Sequence, residues 1–120
     1  MKTLKNSAAF ACIFAAISQV PTWAHATLLS SAPAANAKVV SAPSVTLHFN
    51  EKPEASFSSI KVMDAAGTDE TTGKAHLGKT DATVLTVDLK ALKAGKYTVK
   101  WVAVGHDGHR RSGDYMFAVK

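Results

Sequence analysis

The chain has 120 residues, enough for one domain and little more, with 14 Lys and Arg against 9 Asp and Glu, a formal net charge of +5. The basic residues are scattered, from Lys38, Lys52 and Lys61 through Lys96 and Lys100 to Arg110, Arg111 and Lys120, and no aromatics alternate with them, so nucleic acid is not an expected partner. The single cysteine, Cys12, lies near the front, which leaves the rest of the chain without disulfides, thiolate ligands or thiol catalysis.

Residues 1–24 read as a secretion signal. Lys2 and Lys5 form a short basic segment, Ala8 to Val20 is almost wholly apolar, and Pro21 to Ala24 supply a break and small residues. The apolar run falls short of the ~20 residues that a spanning helix needs. Cys12 sits in the middle of that run and not at its end, so no lipid anchor is expected. The expected organisation is a cleaved signal over 1–24 and one domain over 25–120, exported to a bacterial periplasm with no membrane anchor. Two cuts satisfy the small-residue pattern. "TWA" places the cut after Ala24 and makes His25 the first residue. "AHA" places it after Ala26 and starts the protein at Thr27. Pattern alone does not choose between them. A chain from His25 has 96 residues, 12 of them basic and 9 acidic, and can just support one hydrophobic core.

The remainder reads as strands. "SAPAANAKVVSAPS" has two prolines and little periodicity and is expected to be turns. In "SVTLHFN", Val45, Leu47 and Phe49 share one face, with Thr46, His48 and Asn50 on the other. "SSIKVMD" pairs Ile60 with Val62. "DAAGTDETTGKAHLGKTDA" is polar, with at most a weak strand near Ala75–Leu77. "TVLTVDL" aligns Leu85, Val87 and Leu89. "KALKAG" is expected to be a short helical turn ending on Gly95. "KYTVKWVAVG" aligns Tyr97, Val99, Trp101 and Ala103, and "GDYMFAVK" aligns Tyr115, Phe117 and Val119. Six or seven short strands imply an all-β fold, a two-sheet sandwich or Greek-key barrel. The closing pair of strands resembles the last hairpin of an immunoglobulin-like sandwich. Trp101 is expected to be the largest anchor of the core, and Met116 to pack.

The connection "VGHDGHRRSGDY" contains D-x-H. In an extended segment Asp107 and His109 point to the same side, ~6–7 Å apart, and Gly105 and Gly108 let the backbone bend. Alone, such a triplet is as a rule a solvated turn. The front of the chain adds weight to it. An N-terminal His25 offers its α-amine and Nδ1 in one chelate ring. With His109 there are three nitrogens, and Asp107 adds an oxygen. A tetragonal N,O set favours Cu(II), whereas zinc prefers a tetrahedral one. The amine must be deprotonated to bind, so binding weakens on acidification.

With these residues in place, the chain resembles the CopC family of periplasmic copper-binding proteins, YobA-like members included. The likeness covers nearly all of residues 25–120. It is carried by "HATLLSSAPAANAKV", by "LHFNEKPEASFSSIKV" and by "AGKYTVKWVAVGHDGHRRSGDYMFAV", whose G-x-Y-x-V-x-W, D-x-H and final G-x-x-x-F form the family's closing pattern. The resemblance implies an immunoglobulin-like sandwich of about seven strands that binds one Cu(II) per chain through His25, Asp107 and His109. It implies Glu51 as a further, weaker oxygen ligand. It implies buffering or delivery of copper, in homeostasis or resistance, by a protein that is no enzyme and is expected to be a monomer. Its expected partner is an inner-membrane copper transporter of the CopD kind. One departure is plain. Some members hold Cu(I) in a methionine-rich loop, and here the corresponding "MDAAGTDETTGKAHLG" has Met63 alone. Thioethers select Cu(I), so no dedicated Cu(I) site is expected.

The other polar residues read more simply. His106, a strand neighbour of Asp107, points away from it. His48 faces outward, and His76 lies exposed in a polar loop. Asp69 and Glu70 form a solvated loop and not a calcium site. Arg110 and Arg111 form a surface pair or orient Asp107 or Glu51. Two other functional classes share these features. A histidine-brace oxidative enzyme needs open coordination, which Asp107 and Glu51 would fill. A metal-free interaction sandwich, for which D-x-H is only a turn, needs cleavage ahead of Thr27 or no copper affinity.

Overall fold

The computed structural model describes residues 26–120; residues 1–25, with the signal segment and His25, lie outside the described residues. Eight strands form two sheets: β1 (Leu28–Ala32), β2 (Lys38–Val39), β3 (Ser44–Phe49), β4 (Ser59–Met63), β5 (Thr71–Leu77), β6 (Val84–Leu89), β7 (Gly95–Val104) and β8 (Arg110–Val119). The sheet orders are β1-β3-β6-β5 and β2-β8-β7-β4. Only β2, against β8, pairs in parallel; the other neighbours are antiparallel. Among the described residues no helix is long and apolar enough to cross a membrane.

The alternation seen in sequence is what closes the sandwich. Val45, Leu47 and Phe49 of β3 and Leu85, Val87 and Leu89 of β6 turn inward from one sheet. Ile60, Val62, Tyr97, Val99, Ala103, Phe117 and Val119 meet them from the other. Each fully buried large apolar side chain stabilises the fold by ~1.5–3 kcal/mol. Among the described residues no polar or charged residue is fully buried, so the layer between the sheets is dry. Phe49 meets Trp101 edge-on across that layer with ring centroids 5.5 Å apart, and Tyr97 stacks on its cross-strand partner Phe117 at 5.6 Å. Trp101 is only partly buried, and the largest fully buried side chains are Phe49 and Phe117. The indole instead lies over Gly113, its partner on β8, where a Cβ would come within 2.8 Å of the ring.

Several local expectations are corrected. The proline-containing front segment holds β1 and β2, which its weak periodicity hid. β1 is stitched to β3, and the stretch before β2 is held by Asn36 N–H donating to the Met116 carbonyl at 2.7 Å and Ala118 N–H to that of Ala37 at 2.9 Å. Asn36 sits at φ 65, a left-handed conformation that asparagine tolerates. The weak strand near Ala75–Leu77 extends back to Thr71, interrupted by an irregularity at Gly73, φ +83. His76 is therefore on a strand, exposed, with Nε2 at 3.8 Å from Asp88. Met116 is exposed on the outer face of β8 and does not pack in the core.

Residues 90–94 form no helical turn. Their backbone is claimed from outside, because Lys90 N–H donates to the Glu70 carbonyl at 2.9 Å. The Tyr97 hydroxyl donates to the Lys93 carbonyl at 2.6 Å. That is the corner in which a tyrosine at the start of a strand holds the connection just upstream. Burial raises the Tyr97 pKa above the ordinary phenol value, with the Glu70 carboxylate adding to the effect, so the phenol stays neutral. Tyr97→Phe keeps the stacked ring and loses one hydrogen bond. It should lower stability by about 1 kcal/mol, read as a shift of the urea midpoint with an unchanged slope.

Candidate metal centre

The turn between β7 and β8 is closed by its backbone. Gly108 N–H donates to the Gly105 carbonyl at 2.9 Å, and Gly105 N–H donates to that of His109 at 3.0 Å. Gly108 carries φ +85, so a reverse turn followed by one left-handed residue brings β8 back into register. Asp107 and His109 thus stand on a tight turn, not on extended chain as the spacing suggested. They are brought closer than alternation would allow, with Asp107 Oδ2 2.8 Å from His109 Nδ1. Oδ1 of the same carboxylate accepts the His109 backbone N–H at 3.0 Å.

This arrangement sets protons. An ionised carboxylate only accepts, so the Nδ1 side of His109 donates in this contact, and the neutral ring so oriented presents its lone pair on Nε2. A histidine oriented in this way is the usual metal-binding form, its second nitrogen held by a carboxylate. The His109 side chain, its backbone N–H and then its charge hold the Asp107 carboxyl below the ordinary carboxylate range, with slight desolvation opposing. His106 is exposed on the turn, apart from this pair.

Glu51 reaches the same place from the other side of the sandwich. It follows β3 and its Oε1 is buried with no hydrogen-bond partner among the described residues. A Cβ built on Gly105 would collide with this Oε1 and would lie 3.1 Å from Asp107 Oδ1. The two carboxylates therefore converge on the face of Gly105. Gly105 is needed for that space and does not occupy the left-handed region, so its bending role in the sequence reading passes to Gly108. A buried carboxylate oxygen without a donor is costly unless a cation meets it.

The start of the described chain lies at this end too. Ala26 is fully buried within the core. Thr27 and Asn50 pair twice: Thr27 N–H donates to Asn50 Oδ1 at 2.7 Å, and Asn50 N–H donates to the Thr27 carbonyl at 3.0 Å. Asn50 is the immediate neighbour of Glu51. Sequence reading missed this role of Asn50, although a polar residue closing the "SVTLHFN" alternation was the available signal. His25 lies outside the described residues. Among the described residues no three His, Cys, Asp or Glu side chains are grouped closely enough to hold an ion.

The remaining candidates fall elsewhere. His48 faces outward, its Nε2 3.8 Å from Asp81. Asp69 is engaged locally, its Oδ1 accepting from the Thr71 backbone and hydroxyl at 2.9 and 2.7 Å. A groove of about 620 Å³ lies between β4 and β5, is lined by Ser58, Lys61, Asp69 and Lys74 among others, and contains none of the ligand candidates.

A two-sheet sandwich with an Asp–His hairpin facing a partly buried glutamate gathers oxygen and nitrogen donors at one end of the fold, a donor set suited to a small metal-handling protein. A CopC-domain profile matches residues 28–120. Protein YobA of Escherichia coli K12 is 43% identical over 100 residues, covering 82% of this chain and 81% of that protein. Copper transport protein CutJ of Bacillus subtilis is 37% identical over 100 residues, covering 82% of this chain but 18% of that protein. The crystal structure of PcoC, a methionine-rich copper resistance protein from Escherichia coli, superposes with a TM-score of 0.72 at 31% identity, over 81% of this chain and 100% of that one. This chain belongs to the CopC family. The family is one of copper-handling proteins and not of enzymes.

The Asp107 pair is directly measurable in metal-free protein. A carboxylate held below its unfolded pKa contributes stability above that pKa, and the contribution is lost as pH falls through the lower, folded value. By carboxyl-carbon NMR, Asp107 should titrate below an ordinary aspartate, and His109→Ala should move its midpoint upward. An unchanged midpoint would contradict the pairing.

Proposed function

We propose that this protein is a periplasmic Cu(II) carrier, exported with the loss of residues 1–24, in copper homeostasis or resistance. One copper ion per chain is the cargo. The α-amine and Nδ1 of His25 and Nε2 of His109 supply three nitrogens. Remaining lone pairs of Asp107 and the Oε1 of Glu51 supply oxygens, Glu51 being the weaker ligand. This borderline N,O donor set suits Cu(II).

The observation that carries the reading is the orphaned Oε1 of Glu51, aimed across Gly105 toward the Asp107–His109 pair. An oxygen in that position fits a cation and little else. The Thr27–Asn50 pairing supports the part given to His25, because consecutive Cα atoms are only 3.80 Å apart. The described residues group no three ligand side chains, and in this reading the amino terminus completes the site.

Met63 and Met116 are the methionines of the described chain, and they lie on separate strands of the outer face, so we assign no dedicated Cu(I) site. Delivery is favoured over buffering by CutJ, a longer copper transport protein of which a chain like this one is a part. The expected recipient is an inner-membrane transporter of the CopD kind, and the carrier acts as a monomer.

The test begins with intact mass and N-terminal sequencing of the exported protein, which should start at His25. An N-terminal Thr27 would remove the amine–imidazole chelate and end this reading. Cu(II) titration should then saturate at one equivalent, and affinity should fall as pH drops below the amine pKa of ~7.7–8.0, because protons compete for the donors. His109→Ala should weaken binding by more than the ~10–100-fold typical of a residue that merely supports a ligand. Wild-type affinity in that variant would remove the hairpin from the site. Gly105→Ala displaces the Glu51 carboxylate and should weaken Cu(II) binding in the same titration, while circular dichroism stays that of the parent.

A further inference from the structure

Strand alternation sorts sheet β2-β8-β7-β4 into an inner and an outer set of side chains. Val62, Val99, Tyr97 and Phe117 are buried, so the residues between them face out. The cross-strand register arranges the outer residues in rows. Val104 stands beside Arg110, and the next row is Ser59, Val102 and Ser112. Then come Lys61, Lys100 and Asp114, followed by Met63, Thr98 and Met116. The last row is Lys96, Ala118 and Lys38. Five cations share this face with one carboxylate, Asp114.

The opposite sheet differs. The outward residues of β1, β3, β6 and β5, such as Thr46, His48, Thr86 and His76, include a single lysine, Lys74, and a single carboxylate, Asp88. Charge is thus segregated by sheet. Lys61 and Lys100 stand directly opposite each other, a pairing that like-charge repulsion disfavours and that core packing does not require. Two exposed apolar side chains lie among the lysines. Met116 is 46% exposed, and Val40, which follows the inward-facing Val39, is 80% exposed.

We propose that this outer face docks on an anionic lipid surface. Its charge is complementary to phosphate headgroups, and its cations are spread over strands roughly 33 Å long and are not gathered around a cleft. An acidic peptide adding as a strand would need a free edge, and β7 and β8, which carry most of the charge, are the two interior strands. Met116 and Val40 add shallow apolar contact between the lysines, and such a pair of signals together gives stable surface binding where either alone is weak. The Gly105–His109 turn lies at the far end of the same two strands. A protein lying on this face keeps that turn at the rim of the contact, uncovered and close to the membrane.

The test is co-sedimentation of the exported protein with phosphatidylcholine vesicles, with or without phosphatidylglycerol, at low and at physiological ionic strength. Wild type should pellet with the anionic vesicles only, and less at the higher salt. The double substitution Lys61→Glu and Lys100→Glu should lower the partition coefficient at least about twenty-fold. The control, Lys79→Glu with Thr80→Glu and Ala82→Glu in the exposed connection between β5 and β6 of the other sheet, makes the same change in net charge and should retain most of the binding. Met116→Ser should reduce the fraction that survives the higher salt. Equal loss in the control would assign the effect to net charge and overturn the proposal, as would equal binding to neutral vesicles. Retention on polyglutamate resin without vesicle binding would assign the face to an acidic polypeptide and also overturn it. The wild-type lipid and salt dependence decides the matter even if a variant fails to fold.

Discussion

The ladder between β7 and β8 runs unbroken through ten residue pairs, from Gly95–Val119 to Val104–Arg110. Because side chains alternate with a period of two, this one register fixes three things together. It turns Tyr97, Val99, Ala103, Phe117 and Val119 into the core. It turns Lys96, Lys100 and Arg110 outward. It also decides which residues close the turn at the end. A slip by one residue would expose the core set and bury the lysines, at a cost no small domain can bear. Two devices hold the pairing. The Trp101 ring occupies the space left by Gly113, and the Tyr97 hydroxyl pins the chain upstream of β7.

At the end of that ladder the electrostatics run against the rest of the fold. The layer between the sheets holds no fully buried polar residue among those described. Yet the carboxylates of Glu51 and Asp107 are pressed toward one glycine, and one of their oxygens is buried without a donor. Asp107 is compensated by the His109 ring and backbone, which keep it ionised. Among the described residues Glu51 has no such help. A buried oxygen without a donor is costly to a fold unless a ligand meets it. Ala26, buried just behind, prevents the front of the chain from moving away from this rim.

Much of the fold was legible. The alternation in "SVTLHFN", "TVLTVDL" and "KYTVKWVAVG" identified the buried residues of β3, β6 and β7, because burial on one face of a strand leaves a period-two record. The short strands β1 and β2 left no such record. They are ordered by hydrogen bonds to β3 and β8, which lie far away in sequence. The segment 90–94 has helix-forming residues, but its backbone groups are taken by distant partners such as Glu70. Met116 and Trp101 were misjudged for a related reason. Apolar character says what a side chain favours, not whether its strand ends at the rim or faces out.

The amino-acid order by itself determined the class of fold, the strands with strong alternation and the candidate pair Asp107 and His109, since residue type and local spacing are local properties, whereas Glu51 was implied only by the family resemblance. Only the tertiary structure decided that Asp107 and His109 meet across a turn, that Glu51 arrives beside them over a bare glycine, and that lysines from β4, β7 and the short β2 share one face. Those facts depend on which strands become neighbours and in what register. Long-range pairing, which no local window of residues encodes, settles both.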